Sequence, residues 1–161
     1  MSSLMVACIV NLAKTTLLGR GAARKYTLEI LKKITSGPIK GNFRGVPLWF
    51  NLDNTTEKKA LLSDRYDKSE LDFLKSELQG KESAVFVDIG ANSGLYTIFL
   101  AAHMLPGSRV LAIEPNPAMF ERISRNIGLL RKSGFARHVE IFIEESAVGE
   151  CQGKIFLSLS K

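Results

Sequence analysis

The chain has 161 residues, of which 45% are apolar and 24% are charged, and its formal net charge is +6. This composition is typical of a single globular domain that can bury a real core. The two cysteines, Cys8 and Cys151, lie far apart without Cys-x-x-Cys or histidine partners, so we predict neither a disulfide nor a metal site, and a cytoplasmic location is the default.

The basic charge is concentrated at the N-terminal end. Residues 1–50 contain eight Lys and Arg residues against a single acid, Glu29, so they carry +7 and the remaining 111 residues carry −1. We assign residues 1–38 to a basic helical N-terminal extension and residues 39–161 to the domain itself, which is preceded by a hairpin and a helix. A solvated basic face is favoured over a role at nucleic acid or at a membrane surface.

The first helices are predicted from apolar spacing. The run from Met1 to Leu12 lacks the basic start of a signal peptide and is too short to span a membrane, so we predict no transmembrane segment. Helical spacing instead predicts two amphipathic helices that dock through apolar stripes. The stripes are Leu4, Cys8, Ile9, Leu12, Thr16 and Leu17 in the first helix and Tyr26, Ile30, Leu31 and Ile34 in the second.

A hairpin and a third helix come next. Residues 39–52 alternate and contain two glycine breaks, which predicts a β-hairpin. The segment from Asp67 to Leu78 then has helical spacing, with Leu71, Leu74 and Leu78 on one stripe and Glu70 as a possible capping residue.

The stretch from Val85 to Thr97 is the most informative part of the chain. A short apolar strand ends near an acidic residue, Asp88, and is followed by the segment Gly90-Ala-Asn-Ser-Gly94, which we call the glycine turn. A helix is predicted to follow. In open α/β sheets, ligands bind outside the carboxyl ends of the strands, so Asp88 and the glycine turn are expected to face one crevice.

A second strand, starting at Arg109, ends at Glu114, twenty residues after Gly94. A carboxylate at this spacing accepts hydrogen bonds from ribose hydroxyls in nucleotide-binding βαβ units. The glycine turn has Asn92 where a dinucleotide fingerprint has its second glycine, and Asp88 would repel a phosphate. The cationic cofactor S-adenosylmethionine therefore fits better than NAD, although an NAD-dependent dehydrogenase remains the weaker alternative.

A helix from Pro117 to about Lys132 and a third strand, from Val139 to Ile143, complete the pattern, and the residues from Lys154 to Ser160 alternate as a half-exposed strand would.

Three motifs resemble the FkbM-type S-adenosylmethionine-dependent methyltransferases. They are Asp-Ile-Gly-Ala-Asn-Ser-Gly-Leu-Tyr-Thr at 88–97, Glu-Pro-Asn-Pro at 114–117 and Ser-Ala-Val-Gly at 146–149. The resemblance runs from about Gly45 onward, and the first motif is the most specific. Ser93 departs from the pattern, where this position is usually aliphatic.

The resemblance implies a Rossmann-like sheet and methylation of a hydroxyl oxygen on a sugar or small metabolite. It also implies a cofactor site at which Asp88 and the glycine turn hold the methionine end, Glu114 holds the ribose, and Ser146 and Ala147 contact the adenine. The full set of candidate residues is Glu70, Asp88, Gly90, Ala91, Asn92, Gly94, Tyr96, Thr97, Glu114, Pro115, Asn116, Ser146 and Ala147. No catalytic base and no metal ligand is predicted.

The predicted strands account only for the first half of such a sheet. We therefore expect an incomplete Rossmann-like sheet, with N-terminal helices and a hairpin, whose first strand has an unpaired edge that favours association. The alternative function is that of a truncated, non-catalytic nucleotide-binding fragment. Partners are expected to be small molecules, with nucleic acid disfavoured and the oligomeric state open.

Overall fold

A computed structural model describes residues 3–16, 21–154 and 156–157. The chain divides into two compact units, Met1–Glu70 and Leu71–Lys161. This grouping places the hairpin with the N-terminal helices. The boundary at residue 38 between the helical extension and the domain stays a prediction.

The first unit contains three helices and a hairpin. Its elements are α1 (Ser3–Thr15), α2 (Gly21–Ile34), β1 (Ile39–Phe43), β2 (Val46–Phe50) and α3 (Thr55–Leu62), and the first residues of α4 (Lys68–Leu78) close it. The two strands pair antiparallel, as the sequence predicts, with Phe43 opposite Val46. Arg44 and Gly45 form the two-residue turn, and both have positive φ, which matches the right-handed twist of a hairpin.

Helix α3 was missed from the sequence, although a capping signal marks its start. The side chain of Asn54 accepts a hydrogen bond from the backbone N–H of Glu57 at 3.1 Å. The Glu57 carboxylate in turn accepts from the N–H of Asn51 at 2.5 Å, and the Glu57 residue is buried. Since an acidic residue three positions after an asparagine is a typical helix start, this signal was readable.

The docking stripes predicted for α1 and α2 are largely wrong. In α1 the buried apolar residues are Val10 and Ala13, whereas Leu4 and Leu12 are 74% and 52% exposed. In α2, Leu31 is buried as predicted, but Tyr26 and Ile30 are exposed. Helix α1 is apolar on most of its surface, so spacing alone does not select the face that packs. Leu17 lies outside the described residues.

The second unit is a parallel three-stranded sheet with helices. Its remaining elements are β3 (Val85–Ile89), α5 (Leu95–Ala101), β4 (Arg109–Ile113), α6 (Pro117–Lys132) and β5 (Glu140–Glu144), and the strand order is β3-β4-β5. Helix α5 contacts β4, and α6 contacts β5. This is the predicted α/β class, an incomplete Rossmann-like sheet.

The two faces of this sheet differ. On one face Val110 and Ala112 are fully buried. On the other, Val87 and Phe142 flank Leu111 in register, and both are about half exposed. Within the described residues β3 pairs only with β4, so the predicted open edge is present.

The strand predicted from Lys154 to Ser160 is not supported. Residues 154, 156 and 157 lie outside any strand, and the other positions of that segment fall outside the described residues.

Candidate cofactor site

The site is built where β3 turns into α5. Gly90, Asn92 and Gly94 all have positive φ, between 52° and 81°. The backbone N–H groups of Gly90 and Ala91 both donate to the carbonyl oxygen of Ile113, at 2.9 and 3.1 Å. The glycine turn is thereby fastened to the end of the neighbouring strand β4.

Asp88 holds the far end of the same segment. Its Oδ2 atom accepts hydrogen bonds from the hydroxyl of Thr97 at 2.6 Å and from the Thr97 backbone N–H at 3.1 Å. Burial raises the pKa of the Asp88 carboxyl above its ordinary value of 3.8, the two bonds from Thr97 oppose that rise, and the charge of Glu114 adds to it. Asp88 is therefore a desolvated carboxylate fixed by the first turn of α5.

Glu114 is placed immediately after β4 and is only 7% exposed. One carboxylate oxygen accepts from the N–H of Asn92 at 2.8 Å, and the other accepts from the N–H of Asn116 at 2.9 Å. Asn116 itself caps α6 by accepting from the N–H of Ala118. The carboxylate therefore links the glycine turn to the start of α6.

The two carboxylates lie close enough for the charge of Glu114 to raise the pKa of Asp88. They also accept hydrogen bonds from one backbone segment, since Glu114 bonds to Asn92 in the middle of the glycine turn and Asp88 bonds to Thr97 just beyond it. The arrangement brings two acidic groups to neighbouring strand ends around a single turn.

Two contacts from α6 support the turn and were missed from the sequence. Asn126, which is 1% exposed, donates its side-chain N–H to the carbonyl oxygen of Ser93 at 3.1 Å. A Cβ atom at Gly94 would lie 3.2 Å from Cγ1 of Ile123, so the helix packs directly on the glycine. Asn126 occurs within an otherwise apolar helical stripe, and that buried polar position was the available signal.

A cleft of about 770 Å³ lies at the carboxyl ends of β4 and β5. Three predicted cofactor residues, Pro115, Ser146 and Ala147, line it together. Its size is within the range of small-molecule sites.

The other candidate residues take different positions. Gly90 is exposed and has open space where a Cβ would be, and Tyr96 is half-buried. The side chain of Ala91 is buried, and Thr97 is fully buried against Asp88, so both support the turn from inside. Glu70 belongs to the first unit, where it is exposed and bonded to the hydroxyl of Ser69. A cofactor role for Glu70 stays a prediction.

The fold has a counterpart among solved structures. The crystal structure of the SAM Dependent Methyltransferase from Agrobacterium tumefaciens superposes with a TM-score of 0.55 at 13% identity, covering 73% of this chain and 35% of that one. At this identity the likeness concerns the fold alone. The shared fold is a Rossmann-like α/β sheet.

The sequence comparisons find a related domain. Residues 88–156 match the model of the methyltransferase FkbM domain. A segment of 57 residues is 37% identical to "Methyltransferase 1" of Beauveria bassiana (strain ARSEF 2860), covering 35% of this chain and 22% of that protein. The stretch from Asp88 to Phe156 therefore matches the FkbM methyltransferase domain, which is the resemblance that the motifs predict.

The matched region spans about a fifth of the length of the Beauveria relative. Within the part of the chain that the structure describes, no helix has both the length and the apolar character needed to cross a bilayer.

Proposed function

We propose that this chain binds S-adenosylmethionine at the carboxyl ends of β3, β4 and β5, as part of an enzyme that methylates a hydroxyl oxygen of a sugar or small metabolite. The observation that carries the proposal is a pair of carboxylates at neighbouring strand ends. Glu114 accepts a hydrogen bond from the N–H of Asn92 in the glycine turn, and Asp88 accepts one from the N–H of Thr97 just beyond it. The match to the FkbM methyltransferase domain from residue 88 onward supports the same assignment.

The charges around the turn suit a cation. From Asp88 to Thr97 the one charged side chain is the Asp88 carboxylate, so a pyrophosphate would find no basic side chain in this segment. The ammonium and sulfonium groups of S-adenosylmethionine would instead be attracted. This contrast favours S-adenosylmethionine over NAD.

The Glu114 carboxylate can accept further hydrogen bonds, as a bound ribose would require. A carboxylate has about four lone-pair sites, and two of them are occupied by the N–H groups of Asn92 and Asn116. The remaining sites can accept from two ribose hydroxyls without release of the turn. Ser146 and Ala147 line the adjoining cleft, where an adenine ring would be held.

When bound, S-adenosylmethionine supplies an electrophilic methyl group, and transfer of that group to a hydroxyl oxygen leaves a neutral thioether and releases a proton. The residues of this chain contribute position and orientation to that chemistry, which accounts for much of the catalysis in a displacement of this kind. Asp88 and the glycine turn orient the methionine end, and Glu114 fixes the ribose.

Calorimetric titration with S-adenosylmethionine tests the site. We expect Glu114→Gln to weaken binding at least about tenfold, because the side chain exchanges an acceptor for a donor. Glu140→Gln is the matched control, since Glu140 is exposed at the opposite end of the same sheet. Equal affinities for both variants would remove Glu114 from the ribose assignment.

A second variant avoids the contacts that hold the turn. Ala147 is exposed in the cleft, so Ala147→Trp should fill the adenine position without disturbing the fold and should abolish binding. Ala22→Trp, at an exposed position in α2, is the control. Retained binding in Ala147→Trp would exclude the cleft as the adenine site.

The reaction is tested with methyl-labelled S-adenosylmethionine and a panel of sugars and small hydroxylated metabolites. Label on an acceptor oxygen, located by mass spectrometry, supports the transferase. Cofactor binding with no transfer to any acceptor favours the alternative of a non-catalytic fragment, and tighter binding of NAD than of S-adenosylmethionine contradicts the cofactor assignment.

A further inference from the structure

The first unit leaves an apolar surface uncovered between α1 and α2. A groove of about 330 Å³ is lined by Ile9, Leu12, Ala23, Tyr26, Thr27 and Ile30, and we call it the N-terminal groove. Leu12, Tyr26 and Ile30 are 52%, 71% and 50% exposed. Large apolar side chains grouped in this way mark an interaction surface more often than isolated ones do.

Helix α2, which forms one side of the groove, is basic. It contains Arg24, Lys25, Lys32 and Lys33 against one acid, Glu29, and Lys32 is paired with Asp53 at 3.4 Å. Lys25 and Lys33 are exposed, and Lys33 follows Ile30 by three residues and Tyr26 by seven, which places it beside the groove on the surface of α2.

We propose that the N-terminal groove docks on an anionic lipid bilayer surface. A bilayer covers both features at once, since acyl chains take up the apolar side chains and acidic headgroups meet the lysines. The aliphatic stem of Lys33 can lie along the apolar surface while its ammonium group reaches the headgroups. Tyr26 has the amphipathic character that is favoured at this depth.

The dimensions of the helices fit a surface position. Helices α1 and α2 have 13 and 14 residues, fewer than the roughly 20 that span a bilayer. A nucleic acid would satisfy the lysines but would leave the apolar groove exposed to water. The inference is independent of the cofactor site, which lies in the second unit.

Vesicle co-sedimentation of the full chain tests the proposal. We expect the protein to sediment with vesicles of equal parts phosphatidylcholine and phosphatidylserine, to bind pure phosphatidylcholine much more weakly, and to dissociate as salt is raised. Tyr26→Gln and Ile30→Gln should each reduce the partition coefficient about tenfold. Phe73→Gln, at a 62% exposed position of α4, should leave it unchanged.

The contribution of charge to vesicle binding is tested with a matched pair of lysine substitutions. Lys33 and Lys132 are exposed residues in the last turns of α2 and α6. Lys33→Gln should weaken binding to the mixed vesicles about fivefold, and Lys132→Gln should not. Circular dichroism of each variant verifies folding, which these exposed substitutions are expected to preserve.

Three results would overturn the proposal. The first is no sedimentation with acidic vesicles. The second is a dimer in solution that Tyr26→Gln disperses while vesicle binding is absent, which would assign the groove to a second copy of the chain. The third is binding of duplex RNA or DNA that Lys33→Gln weakens and Ile30→Gln does not.

Discussion

Helices α2 and α6 carry apolar side chains at the same helical spacing, yet their surroundings differ. In α6, Ile123 and Leu130 are fully buried. In α2, Tyr26 and Ile30 are exposed, and the packed face is instead marked by Thr27 and Leu31. Helix α6 joins two parallel strands, and such a crossover returns against the sheet. An apolar stripe is therefore covered only where the chain topology brings a surface to it.

The difference extends to function. The covered stripe of α6 supports the glycine turn through Ile123 and Asn126, so its packing is part of the candidate cofactor site. The stripe of α2 that contains Tyr26 and Ile30 is exposed, and it is the surface that we propose for lipid. Three substitutions, in order of expected effect, can break or sharpen this contrast.

The largest effect is expected at Ile123. Ile123→Ala should lower the free energy of unfolding by about 3 kcal/mol, because it leaves a cavity under the glycine turn. Ile30→Ala removes the same atoms from α2 and should cost less than about 0.5 kcal/mol. Urea denaturation measures both. If the two variants lose similar stability, Ile30 is covered and the contrast fails.

A smaller effect is expected at Gly94. It has a φ of 81°, and an added Cβ would lie 3.2 Å from the Ile123 side chain, so Gly94→Ala should cost about 2 kcal/mol through backbone strain and crowding together. Gly45 in the hairpin has a φ of 91° but open space around its Cβ position, so Gly45→Ala reports the strain alone, at about 1 kcal/mol. Calorimetric melting separates the two, and equal losses would show that the close packing of α6 on the turn contributes nothing.

The third effect depends on pH. The folded pKa of Asp88 is raised above 3.8, so this group contributes stability that is complete below pH 3.8 and is lost as the pH rises through the folded pKa. Thr97→Val removes a hydroxyl that lowers this pKa, so the loss should extend to higher pH. At neutral pH the variant should also lose about 1.5 kcal/mol from the missing charge-assisted bond.

The control for this experiment is Thr27→Val, since the Thr27 hydroxyl in α2 donates to a backbone group, the carbonyl oxygen of Ala23, at 3.1 Å. The urea midpoint of each variant is followed from pH 3.8 to neutrality. A Thr97→Val profile parallel to that of the wild type would mean that the hydroxyl does not set the pKa of Asp88.

The amino-acid sequence by itself determined the elements around the site. The apolar strands that end at Asp88 and Glu114, the glycine turn and the helix that starts at Pro117 are local patterns, and the structure reproduces each within a residue or two. The resemblance to the FkbM methyltransferases depends on the same segments, because a turn with several positive φ angles tolerates few residue types. The hairpin could be predicted for a similar reason, since its turn also contains residues with positive φ.

Tertiary structure decided which faces are covered and what the two carboxylates contact. Sequence spacing placed Asp88 and Glu114 at strand ends, but only the fold shows that one binds Thr97 and the other binds Asn92 and Asn116. The support from Asn126, and the exposure of Tyr26 and Ile30, likewise depend on residues distant in the chain. Periodicity records which side of a helix is apolar, whereas burial depends on the surface that the rest of the chain brings against it.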